Sequence, residues 1–137
     1  MKKLNCILLV DDDHTDNLFH SNRILKSGVC EHIEIAYDGR KALDYLMEVH
    51  NSGDKNNHPK PDLIYLDINM PKMNGFEFLE NYEKLDEKVK SDIVIIMLTT
   101  SLNPDDRNKA LRFKEVNEFQ TKPLSVESVI ETVEKYF

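Results

Sequence analysis

Pro61-Asp62-Leu63-Ile64-Tyr65-Leu66-Asp67-Ile68-Asn69-Met70-Pro71-Lys72-Met73-Asn74-Gly75 is the stretch on which the fold turns. Leu63 to Leu66 is a short apolar run of strand-forming residues that ends in a carboxylate. Pro71 and Gly75 follow at once and forbid simple continuation. Asp67 is therefore expected at the end of a buried strand. In an open parallel sheet that end opens into the crevice where ligands bind. An Asp there either caps a turn or does chemistry, and polar residues at the other strand ends decide between the two.

Outward from this stretch, short apolar runs alternate with helical patterns. Cys6 to Val10 reads as a strand running straight into Asp11-Asp12-Asp13, and Thr15 to Lys26 as a helix closed by Gly28. The buried face of that helix is ambiguous between Leu18 with Leu25 and Phe19 with Ile24. His32 to Ala36 is a second strand. A second helix opens at Asp38-Gly39 and buries Ala42, Leu46 and Val49, with Leu43 on the flank. After Gly75 a third helix carries Phe76, Phe78, Leu79 and Tyr82. Ile93 to Leu98 is the most apolar strand and ends in Thr99-Thr100-Ser101. Asn103-Pro104, an N-cap followed by proline at N1, starts a fourth helix through Phe113 with a thin apolar face of Ala110 and Leu111. Asn117 to Thr121 is a fifth strand ending at Lys122-Pro123. A last helix runs from Ser125 with Val126, Val129, Ile130 and Val133 on one side, and Leu124 with Val129 as a hydrophobic staple.

Five alternations without an Asn-Gly hairpin predict an α/β fold, a doubly wound five-stranded parallel sheet with right-handed crossovers. The length of 137 residues suits one domain with one core. Phe137 follows directly on the last helix, so the expectation is a single unit over residues 1–137 with no output domain. The polar segment 51–60 is expected to be an exposed loop.

A formal net charge of −7 and basic runs no longer than pairs such as Lys2-Lys3 argue against direct nucleic-acid binding. Cys6 and Cys30 are too few and wrongly spaced for a zinc site or disulfide framework, and Cys6 is expected to pack as a small hydrophobe. The five histidines lack metal spacing and read as surface or loop residues. No signal peptide and no apolar segment of the ~20 residues needed to span a bilayer is present, so a cytoplasmic protein is expected.

The polar strand ends then fall together. Asp11 and Asp12 end the first strand, Asp67 the third, Thr99 the fourth and Lys122 the fifth, all on one edge of a parallel sheet. Converging carboxylates repel, and a hard divalent cation such as Mg²⁺, with oxygen ligands and retained waters, resolves the conflict. Lys122 and Thr99 supply a charge and a hydroxyl donor for a phosphoryl group, which leaves Asp67 as nucleophile. Asp13 reads as a cap for the first helix rather than a ligand.

These pieces, Leu9-Val10-Asp11-Asp12, Leu66-Asp67 through Gly75, Leu98-Thr99-Thr100 and Thr121-Lys122-Pro123, stand in order at alternating strand ends. Over essentially its whole length the chain resembles the receiver domains of two-component response regulators, the family of the chemotaxis regulator, whose fold is a flavodoxin-like (βα)5 sheet. The resemblance implies Asp67 as phosphoacceptor, and Mg²⁺ bound by Asp12, Asp67 and the backbone carbonyl of Asn69, with Asp11 acting mainly through water. It implies Thr99 and Lys122 against the phosphoryl group, a cis Lys122–Pro123 bond, and Phe119 as an aromatic switch residue that turns inward as Thr99 moves. Asn69 and Ser101 would flank the water that removes the phosphoryl group. The donor would be a phosphohistidine on a sensor histidine kinase or phosphotransfer protein. The output would be a downstream protein target that reads the face of the fourth helix, fifth strand and last helix, which is also a candidate homodimer surface. Such a protein catalyses only its own phosphorylation and dephosphorylation.

Two departures stand out: Phe113-Lys114-Glu115-Val116 occupies a place where the family has a small residue, and the 51–60 loop is long. Both resemble stand-alone receivers of the phytochrome-associated kind. Three other functions compete. A haloacid-dehalogenase-like phosphatase needs a second Asp two residues after the nucleophile, where this chain has Asn69. A flavodoxin-like cofactor binder needs a phosphate-cradling loop where this chain has three aspartates. A degenerate receiver, acting as an interaction module without phosphorylation, would lack reactive residues that are all present here.

Overall fold

In the computed structural model, which describes residues 3–52 and 59–137, five parallel strands form one sheet in the order β2-β1-β3-β4-β5. The strands are β1 (Ile7–Val10), β2 (Ile33–Ala36), β3 (Leu63–Leu66), β4 (Val94–Thr99) and β5 (Val116–Thr121). The helices are α1 (His14–Ser27), α2 (Gly39–Ser52), α3 (Gly75–Glu83), α4 (Glu87–Lys90), α5 (Pro104–Leu111) and α6 (Val126–Tyr136). The predicted α/β architecture is thus the observed one. It differs by one added helix, the single turn α4, which is too short to carry a periodic pattern. The fourth and last helices of the sequence reading are α5 and α6.

The central strands are apolar throughout because both faces of the sheet are covered. Successive side chains alternate between the faces, so each strand feeds two cores. On β1, Leu8 and Val10 join Ala42, Leu46, Phe78, Leu79 and Ala110 under α2, α3 and α5. Ile7 and Leu9 join Ile24, Val129 and Val133 under α1 and α6.

Local chemistry sets the helix ends. Asp13 caps α1 by accepting from the Asp16 N–H, and Gly28 closes it with a left-handed φ of 74°. Asn74 with Glu77 forms a capping box on α3, Asn103 with Pro104 opens α5, and Ser125 caps α6. Leu124 and Val129 are both buried, as the staple requires.

Of the two predicted faces of α1, the one with Leu18 and Leu25 is exposed, and the one with Phe19 and Ile24 is half right, since Ile24 is buried and Phe19 is 40% exposed. The helix's inward residues are Asn17, His20, Ile24 and Ser27, while Leu18 is 75% exposed and Leu25 is 53% exposed. The apolar pattern misleads because the upper half of α1 lies beneath polar strand ends, where polar side chains belong. Leu111 is likewise exposed rather than part of a core face, and α5 contributes only Ala110. Of the 51–60 segment, expected to be an exposed loop, Asn51 and Ser52 belong to the end of α2, Pro59 and Lys60 are half-buried, and residues 53–58 lie outside the described residues. Glu115, in the unusual 113–116 stretch, is largely buried and faces Lys90, whose ammonium also meets Glu87 (3.2 Å) and the Glu83 carbonyl (3.0 Å). That polar contact fills a place where a small residue was expected. Among the described residues no helix is long and apolar enough to cross a membrane.

Candidate functional site

Register brings the site together. Val10 of β1 is level with Leu66 of β3, and Thr99 of β4 with Thr121 of β5. Asp11, Asp67 and Lys122 each follow a strand's last residue, and the ladder continues into them. The Asp11 N–H donates to the Ala36 carbonyl (3.0 Å), Asp67 to Val10 (2.9 Å) and Lys122 to Thr99 (2.8 Å). Three side chains from three strands are thereby fixed at one edge by backbone bonds.

Asp11, Asp12 and Asp67 present carboxylate oxygens that all lie within 4.8 Å of one another, with Asp11 and Asp67 buried and Asp12 exposed. The Lys122 ammonium faces them, 2.7 Å from Asp11, 2.8 Å from Asp16 and 3.6 Å from Asp67. The Lys122–Pro123 bond is cis. Burial, and next the Asp11 charge, push the Asp67 carboxyl up from 3.8 to about 7, against the opposing pull of Lys122 and the Ile68 N–H. Burial alone would lower the Lys122 ammonium, but hydrogen bonds to Asp11 and Asp16 hold it well above its usual range. Three carboxylates, those of Asp11, Asp16 and Asp67, thus share one ammonium, with Asp12 beside them.

The stretch after Asp67 is built tightly against it. The Gly75 N–H donates to the Ile68 carbonyl (2.8 Å), and a Cβ at Gly75 would lie 2.4 Å from the Asp67 carbonyl oxygen. Only glycine fits there, which is the physical content of the Gly75 signal in the sequence. Asn69 stands exposed in the intervening turn.

The other predicted residues surround this cluster. Thr99 is buried, and its hydroxyl accepts from the Ser101 N–H (3.1 Å). Ser101 in turn donates to Asp106 on α5 (2.7 Å). Phe119 is half-buried, packed against the core under α2, α3 and α5. It also lines a groove of ≈ 840 Å³ with Pro104, Arg107, Gln120 and Lys135 between α5, β5 and α6.

Three neighbours were missed by sequence reasoning. Asp16 pairs with Lys122, and Asn17 donates from its side chain to the Asp11 carbonyl (2.9 Å). His20, expected at the surface, is 2% exposed and lines a small cavity beneath Asp67 with Asn17 and Tyr65. Burial, and then the nearby Lys122 charge, lower its pKa, so the ring is held neutral. The signal for all three was their spacing from Asp11 on one side of α1, hidden because a polar face on a helix normally means solvent.

Residues 7–134 match the family described as the response regulator receiver domain. The probable methanogenesis regulatory protein FilR2 of Methanothrix harundinacea is 34% identical over 129 residues, 94% of this chain and 79% of that protein. Response regulator Rcp1 of Synechocystis sp. is 36% identical over 101 residues, 73% of this chain and 65% of its own length. A structure of the Mn(2+)-bound form of Rcp1 superposes with a TM-score of 0.69 at 31% identity, covering 96% of this chain and 90% of that one. The two-component response regulator from Cytophaga hutchinsonii has a TM-score of 0.86 at 28% identity, with 98% of both chains covered. The chain spans a third or less of the hybrid kinase and methylesterases it also resembles, so the same unit recurs as one part of longer proteins. Family match, fold and the aspartate cluster agree: this chain belongs to the response regulator receiver domains of two-component signalling.

Proposed function

We propose that Asp67 accepts a phosphoryl group from the phosphohistidine of a sensor histidine kinase or phosphotransfer protein, and that the acyl phosphate switches a protein-binding face. The observation that carries this reading is the meeting of Asp11, Asp12 and Asp67 within 4.8 Å opposite the Lys122 ammonium.

The donor set fits Mg²⁺. It is all oxygen, its three carboxylates outnumber the one Lys122 charge, and a cation there would offset the burial and the Asp11 charge that together raise the Asp67 carboxyl. Asp12 and Asp67, with the Asn69 carbonyl, would hold the ion, and Asp11 would act through its waters. Bound there, Mg²⁺ neutralises charge and orients phosphoryl oxygens. Asp67 attacks phosphorus in line, the P–N bond of the donor breaks, and its electron pair stays with the imidazole, which takes a proton from water. Lys122 is aimed at the oxygens of the transferring group, and its charge opposes the charge that builds there.

Thr99 would turn its hydroxyl from the Ser101 N–H toward the new oxygens. Thr99 stands level with Thr121 on β5, two residues from Phe119, so its movement reaches the α5–β5–α6 groove and lets Phe119 pack inward. That groove is the surface we assign to the downstream target and to a homodimer. Its switching requires differential binding of the two states, about 5.5 kcal/mol for a full 1:99 to 99:1 reversal and less for a partial one.

Intact mass after incubation with acetyl phosphate or phosphoramidate tests the reading. One phosphoryl adduct that needs Mg²⁺ and is lost in Asp67→Asn is expected. Folded protein that takes no adduct would overturn it.

A further inference from the structure

Lys122 has three N–H donors and two of its neighbours within hydrogen-bond distance are Asp11 (2.7 Å) and Asp16 (2.8 Å), while Asp67 stands outside it at 3.6 Å. We propose that Asp16 is a positioning residue that holds the Lys122 ammonium back from Asp67 in the resting protein and competes with an incoming phosphoryl group for it. The inference rests on the phosphoryl-transfer reading above and adds a residue to it.

The competition is unequal in a useful way. The Asp11 side chain is 6% exposed and that of Asp16 is 37% exposed. A carboxylate at the mouth of the crevice regains water when its partner leaves, whereas a buried one is stranded. Asp16 is therefore the partner Lys122 gives up. Asp16 cannot follow the lysine inward, because its backbone is fixed in the first turn of α1, where its N–H donates to Asp13 (3.0 Å). Once released, its charge rests at a helix N-terminus, where anions are favoured. The lysine can thus move between two anions, one resident on α1 and one delivered by the reaction.

Asp16 acts through Lys122, so its removal should change affinity for the phosphoryl group rather than the fold. Beryllofluoride with Mg²⁺ is the probe, followed by the bound ¹⁹F resonance in titrations of the full chain. Asp16→Asn is expected to bind it about fivefold more tightly than wild type, the scale of one partly exposed ion pair. Asp16→Glu, which keeps the charge, is expected to stay near wild type. In a Lys122→Met background the gain from Asp16→Asn is expected to vanish. Equal affinity of Asp16→Asn and wild type would overturn the inference while leaving the phosphoryl-transfer reading intact, and so would a gain that persists without Lys122, which would be a through-space charge effect. Failure of wild type itself to bind beryllofluoride would overturn both. A second measurement reads the resting contact directly. The Lys122 ammonium signal in ¹⁵N-detected spectra should exchange with water faster in Asp16→Asn, and an unchanged exchange rate would count against the tether.

Discussion

The Lys122 ammonium and the Asp67 carboxylate face each other at 3.6 Å, with side chains only 9% and 10% exposed. Lys122 relieves the burial of Asp67, while Asp11 and Asp16, nearer at 2.7 and 2.8 Å, relieve that of Lys122. Lys122→Met strands two buried carboxylates, and breaking such a pair typically costs about 3 kcal/mol or more. We expect that loss in urea unfolding at pH 8 without metal, and a larger recovery on adding Mg²⁺ than wild type shows. Equal urea midpoints for the two proteins would contradict the electrostatic account of the site.

Asp67 sets a pH dependence whose sign is fixed by its raised carboxyl. Its pKa rises from 3.8 to about 7 on folding, so the folded state holds the proton more tightly than the unfolded chain. Stability conferred by the neutral acid is present at low pH and is lost progressively as pH climbs between those two values. Asp67→Asn keeps an oxygen for the Ile68 N–H, which now donates to Asp67 at 2.9 Å, and removes the charge. The substitution should stabilise the metal-free protein by about 1–3 kcal/mol at pH 8 and by far less at pH 5. Chemical denaturation of both proteins at the two pH values checks this, and the difference includes the response of Asp11 and Lys122, whose charges act on Asp67.

Two glycine substitutions separate steric need from backbone need. At Gly75 an added methyl meets the Asp67 carbonyl oxygen at 2.4 Å, so Gly75→Ala must move the backbone that carries Asp67. Its expected cost is about 2 kcal/mol, with a drop in phosphorylation by acetyl phosphate of tenfold or thereabouts. At Gly28 nothing lies within 4 Å, and only the φ of 74° is unfavourable for alanine. Gly28→Ala should cost about 1 kcal/mol and leave phosphorylation alone. Thermal melts beside phosphorylation rates would show whether the two effects part company as stated.

Lys90 offers a control at the opposite end of the sheet, before β4 begins. It is buried against Glu87, Glu115 and the Glu83 carbonyl, far along the strands from Asp67. Lys90→Met leaves Glu115 without its cation and should destabilise by about 2–4 kcal/mol. Phosphorylation of the folded fraction should match wild type. A change in that rate at constant folded fraction would mean that the two ends communicate.

The strand ends were legible in the sequence because each is marked twice, by an apolar run that stops and by a polar residue that stops it. Asp11, Asp67, Thr99 and Lys122 need only a parallel sheet to stand on one edge, and the alternation of elements supplies the sheet. Gly75 and Asn103-Pro104 were readable for the same reason, since one backbone requirement selects each. The inner face of α1 was readable only at Ile24. Periodicity finds apolar stripes, and here the buried positions are Asn17 and His20 under a polar crevice, while Leu18 and Leu25 face out. Asp16 was hidden because an acid in a first helical turn is ordinary. Nothing local distinguishes one that meets a lysine from 106 positions away. The turn α4 escaped because four residues carry no period.

Gly75 and Asp67 also say something about transplantation. The Gly75 N–H closes on the Ile68 carbonyl and its α-carbon lies against the Asp67 backbone, so residues 67–75 form a closed loop whose ends are clasped together. The clasp sets the loop's own shape, while its placement rests on the Val10 carbonyl of β1, which accepts from the Asp67 N–H, and on the Gly39 N–H of α2, which donates to the Met73 carbonyl. Lys122 has no such closure, because its placement depends on β5 and on the carboxylates it meets. Grafts between receivers that keep both of those contacts should therefore tolerate exchange of the aspartate loop as a block and fail when the lysine is moved without its strand.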